Sequence, residues 1–337
     1  MKPELLSGIE TPEGLRCALQ QAIKLEHSTI PPYLYSLYSI MPGENTEIAT
    51  IISSVVAEEM AHMALACNVL NAIGGSPVID EPRFIPTYPG PLPGAVEDQL
   101  TVHLAPFSIK QVENVFMIIE QPADPLDIPD AAVPNPPITI GELYNAIREQ
   151  VVAAGEGIFI PDHSRQVYGG IALPEVKAVT DVTSAVSAIE TIIEQGEGTS
   201  TSPEGDAPGD ELAHYYRFAE IKEGAQLVPA PGETPPWRYN GQPIPFDASK
   251  VYPVIADPKA SSYPAGSGAR YGCDTFNYTY TSLLKALHDT FNGNPHSLAT
   301  AVGVMESLNE QAQALMTLES GIGGNAGPSF EYQPTNS

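Results

Sequence analysis

Two pairs of ionisable side chains fall on helix faces that ought to be apolar, and this constrains the fold more than any other feature of the chain. Between 46 and 73, Ile48, Ile52, Val55, Glu59, His62, Ala66, Val69 and Ile73 recur in steps of four and three. That spacing is the core-facing seam of a long helix. Glu59 and His62 stand at i and i+3, so both project from that seam. Glu211, His214, Phe218 and Ile221 repeat the steps within a helix expected over 210–223. A lone Glu-x-x-His says little. Here each pair lies in the second helix of an expected hairpin, and each first helix also carries glutamate in its apolar stripe.

The first hairpin pairs a helix over 12–40 with that over 46–73. Leu15, Leu19, Ala22, Ile23, Ile30, Leu34 and Leu37 mark the apolar face of 12–40, and Glu26 falls within it. Thr11-Pro12 is a sound start, and Gly74-Gly75 a sound stop for the partner. Pro31-Pro32 predicts a kink or local unwinding. The second hairpin pairs 182–197 with 210–223. Val186, Glu190, Ile193 and Glu197 form the seam of 182–197. In an antiparallel hairpin, residues equidistant from the turn share a height. Glu26 and Glu59 are equidistant from the 41–45 turn, as Glu197 and Glu211 are from the 198–209 loop. Glu190 and Glu194 are less symmetric; Glu194 is kept in reserve.

The resulting set is Glu26, Glu59, His62, Glu197, Glu211 and His214. Four buried carboxylates without partners would cost many kcal/mol. Basic neighbours cannot supply the balance: 12–40 holds only Arg16 and Lys24, while 46–73 and 182–197 hold no Lys or Arg. Two divalent cations would neutralise the set. Oxygen and imidazole donors suit iron, with manganese as the alternative. One Glu from each of two helices and Glu-x-x-His from two others is the ligand pattern of ferritin-like di-metal bundles. Glu58 is expected to be exposed, His27 to lie at the surface, and Tyr33, Tyr35, Tyr38, Tyr215 and Tyr216 to serve core and rim. His103, His163, His288 and His296 fall outside the seams.

The expected fold is therefore mainly α: a four-helix bundle in one domain over 1–337, with long Pro/Gly-rich insertions and additional C-terminal helices. The insertions span 75–180, with modest helical stretches near 108–120 and 140–151, and 225–275. The C-terminal helices fall near 279–291 and 296–319. The 34 Pro and 28 Gly support long ordered connections. With 15 Lys+Arg against 41 Asp+Glu, net −26, the surface repels phosphate backbones and anionic lipid, so nucleic-acid and membrane partners are not expected. No apolar run of about 18 residues and no leader-like N-terminus is seen. Cys17, Cys67 and Cys273 are scattered and odd in number, which fits a reducing compartment and a cytoplasmic location. No G-x-G-x-x-G, P-loop or G-x-S-x-G supports nucleotide binding or serine hydrolysis.

The stretches LEHSTIPPYLYSLYSI, VVAEEMAHMALACNVLNAIGG, IIEQGEG and ELAHYYRFAEI, with APFSIKQVENVFMIIEQP, FNGNP and GPSFEY, resemble the ferritin-like domain grouped with iminophenylpyruvate dimer synthases. The resemblance runs over roughly 12–332. It implies a ferritin-like bundle holding metal at Glu26, Glu59, His62, a Glu of EQGEG, Glu211 and His214, and a role in secondary metabolism. Those synthases are much larger than this chain. Three functions follow as expectations. The first is a non-haem di-iron oxidoreductase acting with dioxygen on a small, amino-acid-derived substrate. The second is an imine-coupling synthase. The third is a metal-binding protein without turnover. An oligomer is compatible with each.

Overall fold

A computed structural model describes residues 6, 8–97, 99–122, 139–169, 174–199, 202–204, 211–233 and 236–333. The expected first hairpin is α1 (Pro12–Ser39) and α2 (Thr46–Ala72). Thr11 accepts from the Gly14 amide and opens α1, with Pro12 in the first turn where no amide is needed. All eight seam residues of α2, Glu59 and His62 included, are buried.

Pro31 and Pro32 do not break α1, which runs continuously through both. Pro32 offers no amide to the Ser28 carbonyl four residues earlier, and the Tyr88 hydroxyl donates to that carbonyl instead, at 2.7 Å. A neighbouring side chain thus replaces the missing hydrogen bond. Tyr88→Phe should cost about 1 kcal/mol of unfolding free energy, read by urea titration. An unchanged midpoint would show that Tyr88 plays no such part.

The 75–180 insertion carries two helices. α3 covers 109–119, with a π segment at Val112–Phe116. α4 (Ile140–Ala154) opens on a reciprocal cap between Thr139 and Glu142. α5 (Val182–Glu197) follows a reciprocal cap between Asp181 and Ser184. α1 packs on α2, α2 on α5, α5 on α4 and α4 on α1, which closes a ring of four helices. The fourth member of that ring is α4, not the expected 210–223 helix. That helix, α6 (His214–Glu223), starts later than expected, and Asp210 lies outside the described residues. α6 packs on α2, α5 and α3. The buried face of α5 is Ala185, Ala188, Ile189 and Ile192, turned from the expected Val186–Glu190–Ile193–Glu197 seam. Glu190 instead meets Arg148 of α4 near the surface, at 3.4 Å.

After α6, β1 (Ala225–Pro229) and β2 (Trp237–Pro243) form an antiparallel hairpin. α7 (Gly268–Phe291) begins well inside the region expected to be an insertion, and α8 (Leu298–Met316) ends short of 319. These two helices form a second layer against α1 and α2. Among the described helices only α2 is long and apolar enough to cross a membrane, and over half of its most apolar stretch is buried inside this molecule.

Candidate metal centre

α1 contributes Glu26, α2 contributes Glu59 and His62, and the first residue of α6 is His214. All four are at most 2 % exposed. The structure therefore brings together four of the six residues singled out in the sequence. Glu197 lines the same small cavity from the end of α5, half-buried. Its Oε1 accepts from the Gly141 amide at 2.8 Å, in the first turn of α4, where a helix terminus favours negative charge. A Cβ on Gly141 would run into that carboxylate.

Glu211 is not in the centre. Its side chain is 77 % exposed and lies 3.5 Å from Arg217. The i, i+3 rule needs both residues to be helical, and the helix begins only at His214. Glu194 of α5, the reserve, is half-buried and does not line the cavity. The inward acid that the sequence reading missed is Glu120, 4 % exposed at the end of α3. A signal was available: Val112, Phe116 and Glu120 recur in steps of four. Glu58 and His27, expected at the surface, are also largely enclosed; Glu58 reaches His214, while His27 faces away from the centre.

The two imidazoles are held in matching ways. His62 Nε2 lies 2.8 Å from Gln195 Oε1, and His214 Nε2 lies 3.1 Å from Glu58 Oε2. Both partners are acceptors, so each ring places its proton on Nε2 and turns the Nδ1 lone pair inward. His62 Nδ1 lies 3.7 Å from Glu26 Oε2 and 3.8 Å from Glu59 Oε1. His214 Nδ1 lies 2.8 Å from Glu59 Oε1 and 3.5 Å from Glu120 Oε2. Despite that closeness, His214 Nδ1 makes no aligned hydrogen bond, and neither does the buried Glu26 Oε1. Thr29 occupies Glu59 Oε2 at 2.7 Å, and the Tyr33 hydroxyl occupies Glu120 Oε1.

With both rings neutral, lone pairs face lone pairs across a dry space, an arrangement that a bound cation, or in its absence protons, would satisfy. The nearest guanidinium, Arg217, binds Glu58 at 2.6 Å and the exposed Glu211, not the inner acids. Protons respond to the same crowding. Burial, followed by the charge of Glu120, pushes the Glu59 carboxyl up to about 7. Burial alone would depress both histidines, but the surrounding carboxylates outweigh it, so His62 is raised and His214 is raised well above its ordinary range. Arg217 and His214 together overcome burial at Glu58 and hold it down at about 2. Glu58 is therefore a fixed anion that orients His214.

The cavity between these groups has a volume of about 20 Å³. It suits ions or water-sized molecules and is too small for an organic substrate. The residues present fit a metal: three carboxylates and two outward-anchored imidazoles converge, with Glu197 at the edge. Glu59, His62 and His214 offer donor atoms that all lie within 4.8 Å of one another. Removing the Glu58 anchor by Glu58→Ala should weaken metal binding roughly tenfold without abolishing it, read by competition with a chelator. Full retention of affinity would show that His214 needs no orienting partner.

A family model described as Ferritin-like matches residues 19–223. A dichlorochromopyrrolate synthase of Lentzea aerocolonigenes is 26% identical to this chain over 96% of it and 36% of the relative. A 2-imino-3-(indol-3-yl)propanoate dimerase of Chromobacterium violaceum is 24% identical over 95% of this chain and 34% of the relative. The chain thus spans about a third of the length of these curated relatives. A crystal structure of a ferritin like protein from Caulobacter vibrioides superposes with a TM-score of 0.65 at 24% identity, covering 95% of this chain and 97% of that one.

Proposed function

The chain belongs to the ferritin-like family, and we propose that within it this protein is a non-haem di-iron carboxylate oxidoreductase acting with dioxygen on a small, amino-acid-derived molecule. The observation that carries the reading is the pair of inward Nδ1 atoms facing three buried carboxylates, with no Lys or Arg of the described residues paired to those acids. Glu26 and His62 would hold one ion and Glu120 and His214 the other, with Glu59 Oε1 shared, since it lies near both imidazoles. Manganese fits the same donors. Bound there, a redox-active pair of ions supplies the electrons and the open coordination position that dioxygen chemistry requires.

The protein's own residues do the rest. Gln195 and Glu58 fix the imidazole orientation, while Thr29 and Tyr33 each occupy one oxygen of a carboxylate and leave the other free. Apolar Ile119, Ile140, Ile192 and Ile193 wall the cavity and exclude bulk water. Buried Tyr144 lines it with its hydroxyl beside the Glu26 carboxylate, and can donate to that carboxylate or to a group entering next to it. The half-buried Ile193, Gly196 and Glu197 mark the end from which a substrate approaches.

A second reading, coupling of two imines, is favoured by the likeness of nearly the whole chain to a named dimerase. One experiment separates the readings. The ferrous protein is mixed with oxygenated buffer and an aromatic 2-imino acid formed without oxidation, by condensing the matching 2-oxo acid with ammonia. Oxygen uptake coupled to a monomeric oxidised product is the expected result. A product of doubled mass would replace the first reading with the second. Metal bound in full but inert toward oxygen, with and without the imine, would overturn both and leave a metal-binding protein.

A further inference from the structure

A second, roomy cavity lies away from the metal centre, on the far side of the α1–α2 hairpin beneath α7 and α8, with a volume of about 910 Å³. That is within the size range of small-molecule sites. It shares no lining residue with the small cavity at Glu26 and Glu59. Its floor is deep and apolar: Ala64, Tyr280, Leu284 and Phe330 line it and are all buried. Four methionines, Met41, Met60, Met63 and Met305, also line it, and their flexible thioethers adapt to varied shapes.

One polar group on this floor is unsatisfied. His27 is 4 % exposed, and its Nε2 is paired with the Tyr280 hydroxyl at 2.7 Å, but its Nδ1 has no hydrogen-bond partner. A buried polar atom without a partner is destabilising, and a ligand that bonds to it relieves that cost. Helical geometry explains why this ring serves the cavity: one residue beyond Glu26 it points about 100° round the helix, away from the carboxylates. The lining also selects by charge. Among the described residues its lining contains no Lys or Arg, and its acids are Glu44, bound to Lys250 at 2.9 Å, and the exposed Glu306. A carboxylate or phosphate ligand would find no lining cation among these residues, since Lys250 is already paired with Glu44, and would meet the field of a chain with net charge −26.

We propose that this cavity between α1–α2 and α7–α8 is a binding site for an uncharged, largely apolar or aromatic small molecule, with a hydroxyl or carbonyl that pairs with His27. The site is independent of the metal centre and of the reaction assigned to it. The buried side chains that line it, His27 with its unpartnered Nδ1 among them, argue for a small molecule over a docked protein surface.

The test uses the full, metal-loaded chain and two fluorescent probes with the same aromatic body, 1-pyrenemethanol and 1-pyrenecarboxylate. The alcohol should bind saturably at one per chain, at least tenfold tighter than the carboxylate. Val302→Trp, on the α8 side of the cavity and remote from the metal residues, should weaken the alcohol at least tenfold while leaving metal content unchanged. His27→Phe should leave pyrene itself bound but abolish the preference for the alcohol over pyrene. Equal or tighter binding of the carboxylate, or alcohol binding indifferent to Val302→Trp, would overturn the proposal. So would a sedimentation profile showing a dimer that Ala57→Arg, at the cavity rim, dissociates, since the occupant would then be a second copy of the chain.

Discussion

Glu120→Ala protein is expected to carry at least about tenfold less metal than the wild type, while Glu211→Ala protein carries the wild-type amount. The pair is decisive because spacing alone ranks the residues the other way. Glu120 is buried, and its Oε2 lies 3.5 Å from His214 Nδ1. Glu211 is 77 % exposed and touches only Arg217 among the residues near the centre. Removing a direct ligand costs more than removing an orienting partner, for which tenfold to a hundredfold is usual. Alanine at 120 also strands the Tyr33 hydroxyl, which would add about 1–3 kcal/mol of destabilisation unrelated to metal. Glu120→Gln keeps an acceptor for Tyr33 and removes the charge, so it should lose metal with a smaller loss of stability. Elemental analysis beside circular dichroism separates the two effects. Full metal in Glu120→Gln, or loss of metal in Glu211→Ala, would refute the assignment.

Glu59→Gln should change stability in opposite directions with and without metal. In metal-free protein Glu59 is buried beside Glu120 and Glu26, and its carboxyl is raised from 4.5 to about 7. A group whose folded pKa is raised contributes stability that is present at low pH and lost as pH rises through the folded value. The raised values of His62 and His214 act in the same direction. Metal-free wild type should therefore weaken as pH rises from about 4.5 through 7 on account of Glu59, and further above about 6.5 as the histidines lose their protons. Glutamine at 59 removes the ionisation, so at pH 8 the metal-free variant should be the more stable by on the order of 1–3 kcal/mol, several degrees in Tm. In saturating metal the order reverses. The wild type gains about 4.1 kcal/mol at a thousandfold excess over Kd, more than the variant's metal-free advantage, and the variant forfeits most of this. Thermal melts at pH 6 and 8, with chelator and with added metal, read all four combinations. A variant less stable in every condition would show that Glu59 is held by protein contacts alone.

Much of this arrangement could be read from the residues, and the failures have physical causes. The seam of α2 placed Glu59 and His62 inward because eight apolar or ligating positions in strict steps fix one helix face. Glu26 followed from its place between Ile23 and Ile30. His214 was found for an incomplete reason, since its Glu-x-x-His partner proved to be non-helical. The symmetry argument assumed that both hairpins had the same construction. The second does not, because α4 from the insertion takes the fourth place in the ring and α6 is short. Glu120 was overlooked because it ends a helix in a Pro-rich region whose periodicity was read as modest. The α5 seam was misjudged because both candidate faces carry aliphatic residues, and tertiary packing on α2 and α4 decided between them. Gln195 and Glu58 carry no spacing signal as imidazole anchors; only the fold brings them to His62 and His214.

Metal content of the chain purified without chelator is the most direct measurement. Two divalent ions per chain, iron or manganese, should be present or should load on anaerobic addition of the ferrous or manganous ion, and Glu59→Gln should lose both because, on this proposal, both ions would share its carboxylate. A folded wild-type chain that takes up neither ion under those conditions would contradict the account.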